Sequence, residues 1–97
     1  MESNYAFVPA YYEWHLIEKS NPEKVLFNLV DPIEMCYLDN GKPVDFDDLV
    51  NELDFATDDA LRVAYEKNDK EQIENLSRIG KCHCYLMARA LYDYYIA

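Results

Sequence analysis

Glycine is nearly missing from this 97-residue chain, at two residues, and proline is held to four, which leaves little room for linkers or low-complexity tracts. The chain therefore reads as one acidic globular domain over residues 1–97, since a length this short supports a single core and buries roughly 60 to 70% of its unfolded surface. No apolar run approaches the ~18 residues that a membrane span requires. The opening MESNYAFVPA lacks a basic stretch followed by an apolar one, so no leader is read there. An even disulfide set is also missing. Three cysteines, Cys36, Cys82 and Cys84, fit a reducing compartment, and the expected location is the cytoplasm.

Motifs that carry chemistry are absent too. No Ser, Cys or His stands in a recognisable nucleophile setting, so the chain is read as a non-enzyme without a cofactor. Clustered carboxylates could serve acid–base work only if shielded from water, which an exposed helical face does not provide. A calcium loop of the EF-hand type needs oxygen ligands at positions 1, 3 and 5 and glycine at 6. Counted from Asp45, those last two positions are Leu49 and Val50. Cys82-His83-Cys84 resembles a zinc element only superficially, because Cys82 and Cys84 on a helix point about 200° apart; no metal site is expected. Clustered lysine or arginine is lacking as well. With a net charge of -10 the chain repels a phosphate backbone, so direct nucleic-acid binding is disfavoured and none is expected.

What is present is a concentration of negative charge. DFDDLVNELDFATDD, residues 45–59, holds Asp45, Asp47, Asp48, Glu52, Asp54, Asp58 and Asp59 without one lysine or arginine. Over residues 31–59, where Asp31, Glu34 and Asp39 join them, ten acids face the single base Lys42, while the rest of the chain holds nine acids and eight bases.

Periodicity predicts a mainly α fold, a small single-domain helical bundle with a long C-terminal helix. Pro9 suits the first position of a helix over 9–19, with Ala10, Trp14 and Ile17 on one face. Residues 22–44 read two ways. As helix, Asp31-Pro32-Ile33-Glu34 is a capping box and Gly41 a left-handed stop; as sheet, Val25, Phe27 and Leu29 alternate and Asn40-Gly41 is a tight turn, so a small β-hairpin fits within residues 24–46. Phe46, Leu49, Val50 and Leu53 then form one stripe behind an Asp45 cap, on a helix from Phe46 to Asp54 that is about 14 Å long. Thr57 reads as the cap of a following helix with Asp58 and Asp59 in its first turn, buried on Leu61, Ala64 and Tyr65 and ending at Asn68. Asp69 with Gln72 opens the last helix, which the spacing of Ile73, Leu76, His83, Met87, Ala90 and Tyr94 carries from Lys70 to Tyr95, with Gly80 as a bend. His83, Tyr65 and Tyr94 fall on buried stripes, and the cysteines read as small buried hydrophobes.

The uncompensated acids carry the functional expectation. Like charges one turn apart, such as Asp48/Glu52 and Asp54/Asp58, destabilise a helix by a few tenths of a kcal/mol per pair. A cost without structural return implies use, and the matching surface is basic. The expected function is a non-enzymatic inhibitor that imitates a phosphate track and occupies the nucleic-acid site of a basic nucleic-acid-binding protein. By analogy of charge and size alone, that is the task of phage anti-defence and immunity proteins. The alternative is a helical adaptor or assembly subunit whose acids serve only solubility. Its contacts come from Tyr11, Tyr12, Tyr92 and Tyr95 at the two chain ends, and Tyr92 and Tyr95 join the acids as partner-binding candidates, for a heterologous partner or a homodimer.

Overall fold

Residues 3–97 are described by a computed structural model. The chain opens not on a helix but on an antiparallel meander: β1 (Tyr5–Ala10), β2 (Glu13–Glu18) and β3 (Asn21–Val30), in sheet order β1-β2-β3. Trp14 and Leu16 are buried two residues apart on β2, a strand period that wins over the helical spacing of Ala10, Trp14 and Ile17. Pro9 and Pro22 sit on the two edge strands, where a missing N–H costs no ladder bond. The register slips along β2 and β3, so that Leu16 faces Phe27 and Ile17 faces Val25. Leu26 is the extra residue, and the bulge lets Leu26 and Phe27 both be buried.

The mainly α expectation is thus corrected: the described residues form a three-stranded antiparallel sheet packed with four α-helices. No hairpin forms within 24–46. β3 pairs backward with β2, and the segment after it holds a short helix α1 (Pro32–Cys36) and one isolated bridge, Tyr37 to Pro43. Both readings of this stretch captured part of it. The helix starts at Pro32, although the Asp31 side chain makes no capping bond, and the turn is real, with Gly41 at φ 83°.

α2 (Phe46–Glu66) is one helix of 21 residues rather than two. Thr57 is not a cap: it is buried, and its hydroxyl donates to the Asp54 carbonyl at 2.9 Å, a bond made inside a continuing helix. The helix ends where expected, at Asn68 with φ 54°. The long C-terminal helix is in turn two. α3 (Lys70–Ser77) begins under the Asp69 cap, which accepts from the Gln72 N–H at 3.3 Å. Gly80 then takes extended backbone, and α4 (Lys81–Leu91) restarts with His83 Nδ1 accepting the Gly80 N–H at 2.8 Å. The apolar spacing continues across this break, which is why spacing alone does not reveal it. A π-helical turn, Tyr92–Ile96, closes the chain.

One core joins these elements. Trp14, Leu16 and Leu26 of the sheet, Leu49, Val50 and Leu53 of α2, and Met87, Ala88 and Leu91 of α4 are all buried in it. Each fully buried leucine is worth about 1.5–3 kcal/mol relative to exposure. α2 is therefore anchored along its inner face, and its outer face is free to carry whatever the sequence puts there. Among the described residues no helix is long and apolar enough to cross a membrane.

Candidate functional site

The continuity of α2 decides how its acids are arrayed. At about 100° per residue, Asp47, Asp54 and Asp58 fall in one row along the helix and Asp48, Glu52 and Asp59 in a second, roughly 120° away. Asp45 heads the face at the N-cap position, without a capping bond from its side chain. All are exposed except Asp54, which is half-buried. Seven carboxylates over the ~21 Å of helix between Asp45 and Asp59 give about one per 3 Å, close to the ~3.4 Å per phosphate of a single nucleic-acid strand.

Local structure explains only part of this array. Asp47 and Asp48 lie in the first turn, where the helix dipole favours negative charge, but that effect fades within a turn. Glu52, Asp54, Asp58 and Asp59 stand beyond it. Had Thr57 opened a new helix, Asp58 and Asp59 would have had the same excuse; in one continuous helix they have none. Compensation is equally sparse. Arg62 lies 2.7 Å from Asp59 Oδ1 and 2.7 Å from Glu66 Oε1, and among the described residues no other ion pair reaches these seven acids. Neighbouring acids extend the face. Glu34 of α1 and Asp39 of the following turn share with Asp48 and Glu52 a cleft of about 380 Å³, also lined by Met35, Leu38 and Val44. Asp31 lies elsewhere, beside the β1–β2 turn.

Between the two acidic rows run Asn51, Phe55 and Arg62. Phe55 is 72% exposed, an aromatic ring set among carboxylates. Sequence reasoning missed it, because a helix boundary drawn at 54–57 leaves Phe55 without a face. Once the stripe from Phe46 to Ala64 is read as one helix, Phe55 falls opposite it.

The tyrosines sort differently from expectation. Tyr65 and Tyr94 are not core but 61% and 65% exposed. Tyr11 and Tyr12, at 82% and 79%, form the β1–β2 turn. Tyr92 and Tyr95 are half-buried. Tyr92 packs edge-on against Phe46 at 5.9 Å, while the Tyr95 hydroxyl accepts from Trp14 Nε1 at 3.0 Å and its carbonyl accepts from the Tyr37 hydroxyl at 2.7 Å.

Cys36 and Cys84 are buried and Cys82 is exposed. Burial pushes the Cys36 thiol up to about 11 and the Cys84 thiol upward as well, which suits packing rather than nucleophilic attack. His83 is half-buried, edge-on to Tyr5 at 4.5 Å. Among the described residues no three His, Cys, Asp or Glu side chains converge as metal ligands. A cavity of about 430 Å³ between β3, α2 and α3 is lined by Phe27, Ala60, Val63 and Leu76 with Lys67 and Asp69, away from the acidic rows. The acidic face is thus suited to docking on positive charge. Comparison of the chain with protein-family models, curated proteins and solved structures returns no match to any of them.

Proposed function

We propose that this chain is a non-enzymatic inhibitor whose α2 face occupies the nucleic-acid-binding site of a basic partner protein, in the cytoplasm. By analogy of charge and size, that is the kind of task that phage anti-defence proteins or toxin-neutralising immunity proteins perform. The observation that carries the reading is the double row of acids, Asp47/Asp54/Asp58 and Asp48/Glu52/Asp59, of which, among the described residues, only Asp59 meets a base. Their linear density is that of a nucleic-acid strand, and four of the six lie beyond the helix's first turn, where the dipole gives them no folding role. Phe55 between the rows offers the apolar anchor that a charged patch lacks, since aromatic residues dominate binding hot spots.

The experiment is capture of the partner from lysate on the full chain, then competition with plain duplex DNA. The captured protein binds nucleic acid, is displaced by the duplex, and is held less tightly as salt rises. Asp47→Lys/Asp48→Lys/Glu52→Lys weakens capture at least about 100-fold with folding intact. Capture that survives this triple substitution and resists DNA overturns the reading. It would favour instead an adaptor or homodimer contact through tyrosines, which the exposure of Tyr11 and Tyr12 at the hairpin tip supports and Tyr11→Ser/Tyr12→Asn would abolish.

A further inference from the structure

Three segments distant in sequence meet at one end of the sheet around a pocket of about 280 Å³. The β1–β2 turn supplies Tyr12 and Glu13, the junction of β3 and α1 supplies Asp31, and the π-helical turn supplies Tyr94 and Tyr95; Trp14 also lines the pocket. The register explains the meeting. Glu13 pairs with Val30, so Asp31 arrives beside the turn, and the wide last turn of the chain presents two successive tyrosines to Trp14. Tyr94 stands edge-on to Trp14 at 5.1 Å and to Tyr95 at 4.8 Å.

The backbone is distorted at the same place. Of three non-glycine residues with positive φ among the described residues, Tyr12 at 74° and Asp31 at 52° both line this pocket. A bulky aromatic in the left-handed region is a true outlier, at a turn position where glycine or asparagine is the usual choice. Such strain persists where a site over-determines it. The tyrosine at the turn is 79% exposed, so core packing does not account for it.

We propose that this pocket receives the arginine side chain of a partner protein. Aromatic rings offer their faces to a cation, and a guanidinium also stacks flat and forks to a carboxylate, which an ammonium does not. One free carboxylate stands at the pocket, that of Asp31, which has no side-chain hydrogen bond among the described residues. Glu13 lines the pocket from strand β2, but alternation along the strand turns its carboxyl to the face opposite Trp14, where His15 at 3.0 Å and Asn28 at 2.7 Å hold it. Those two bonds also hold the Glu13 carboxyl below its ordinary range. No α2 residue lines the pocket, so arginine binding here does not rest on the decoy reading.

Trp14 is the only tryptophan in the chain and reports on the pocket directly. Its emission is followed while the full-length protein is titrated at about 0.15 M salt, where distant charges are screened, with acetyl-Gly-Arg-Gly-amide and with its citrulline and lysine counterparts. The arginine peptide gives a saturable change, the citrulline peptide binds at least about 10-fold more weakly, and lysine falls between them. Tyr12→Asn and Asp31→Asn both keep a residue that tolerates positive φ while removing the ring or the charge, and each weakens the arginine peptide about fivefold; Tyr94→Ala does the same. Asp47→Lys/Asp48→Lys/Glu52→Lys leaves that affinity within about twofold, so failure here and failure of the decoy reading are separate results. The proposal is overturned if arginine and citrulline bind alike, if lysine binds as tightly as arginine, or if none of the pocket substitutions matters. It is equally overturned if sedimentation reveals a dimer that the peptide dissociates, for then the occupant is a second copy of the chain.

Discussion

The inner and outer faces of α2 obey different rules. Leu49, Val50 and Leu53 on the inner face are at most 1% exposed and belong to the one hydrophobic core, so each is accounted for by folding alone. The acids opposite are not accounted for by packing, and among the described residues only Asp59 of the seven is paired, with Arg62. Elsewhere in the molecule, charge is handled conventionally: Glu13 is bonded to His15 and Asn28, Arg78 meets Glu18, and Arg89 sits over the Phe46 ring while reaching Asp93. The contrast separates residues kept for stability from residues tolerated in spite of it, and that separation is measurable.

The largest effect belongs to the inner face. Leu53→Ala removes a side chain with no exposed surface and leaves a cavity in the shared core, so it costs about 2–5 kcal/mol of unfolding free energy in urea denaturation. A loss below about 1 kcal/mol would mean that α2 is not packed through this stripe, and the two-face distinction would dissolve.

An intermediate effect belongs to the paired charges. Arg78 Nη2 lies 2.7 Å from Glu18 Oε1, a buried atom for which this ion pair supplies charge but no well-aligned hydrogen bond. Arg78→Met leaves that oxygen without its compensating charge and lowers the urea midpoint, by less than Leu53→Ala because both side chains are partly exposed and solvent screens part of the pair. Glu18→Gln combined with Arg78→Met recovers part of the loss in a double-mutant cycle. Were the single change neutral, pairing would be as unimportant in this region as it is on α2.

The same division governs what was legible in the sequence. The stripe from Phe46 to Leu53, the Asp69 cap, the Asn68 stop and the Gly41 turn are local signals and are realised locally. The sheet was hidden because its first turn is Tyr11-Tyr12 rather than Asn-Gly, so the strongest hairpin signal is missing while Ala10, Trp14 and Ile17 imitate a helix. Thr57 followed by two acids imitates a cap, yet its hydroxyl finds a carbonyl within the same helix. The acidic residues themselves could be named from composition. That they share one face, with Phe55 among them, depended on a helix continuing through 54–57, which tertiary packing of Thr57 and Ala64 decides and propensity does not.

The smallest effect is the most discriminating. Asp54 and Asp58 are four residues apart on one helix, past the reach of the N-terminal dipole, and the described residues offer neither an ion pair. Replacing Asp58 by Asn keeps size and helix propensity nearly constant and removes one repulsion, so the urea midpoint rises by an amount equivalent to about 0.2–0.5 kcal/mol. The gain shrinks as salt is raised, because screening already relieves the parent. Partner capture moves the opposite way and weakens. A residue that folding would rather lose and binding cannot spare is what a docking surface predicts of its acids. If Asp58→Asn instead lowers stability, the carboxylate has a structural role, and the strongest reason for assigning this face to a basic partner is gone.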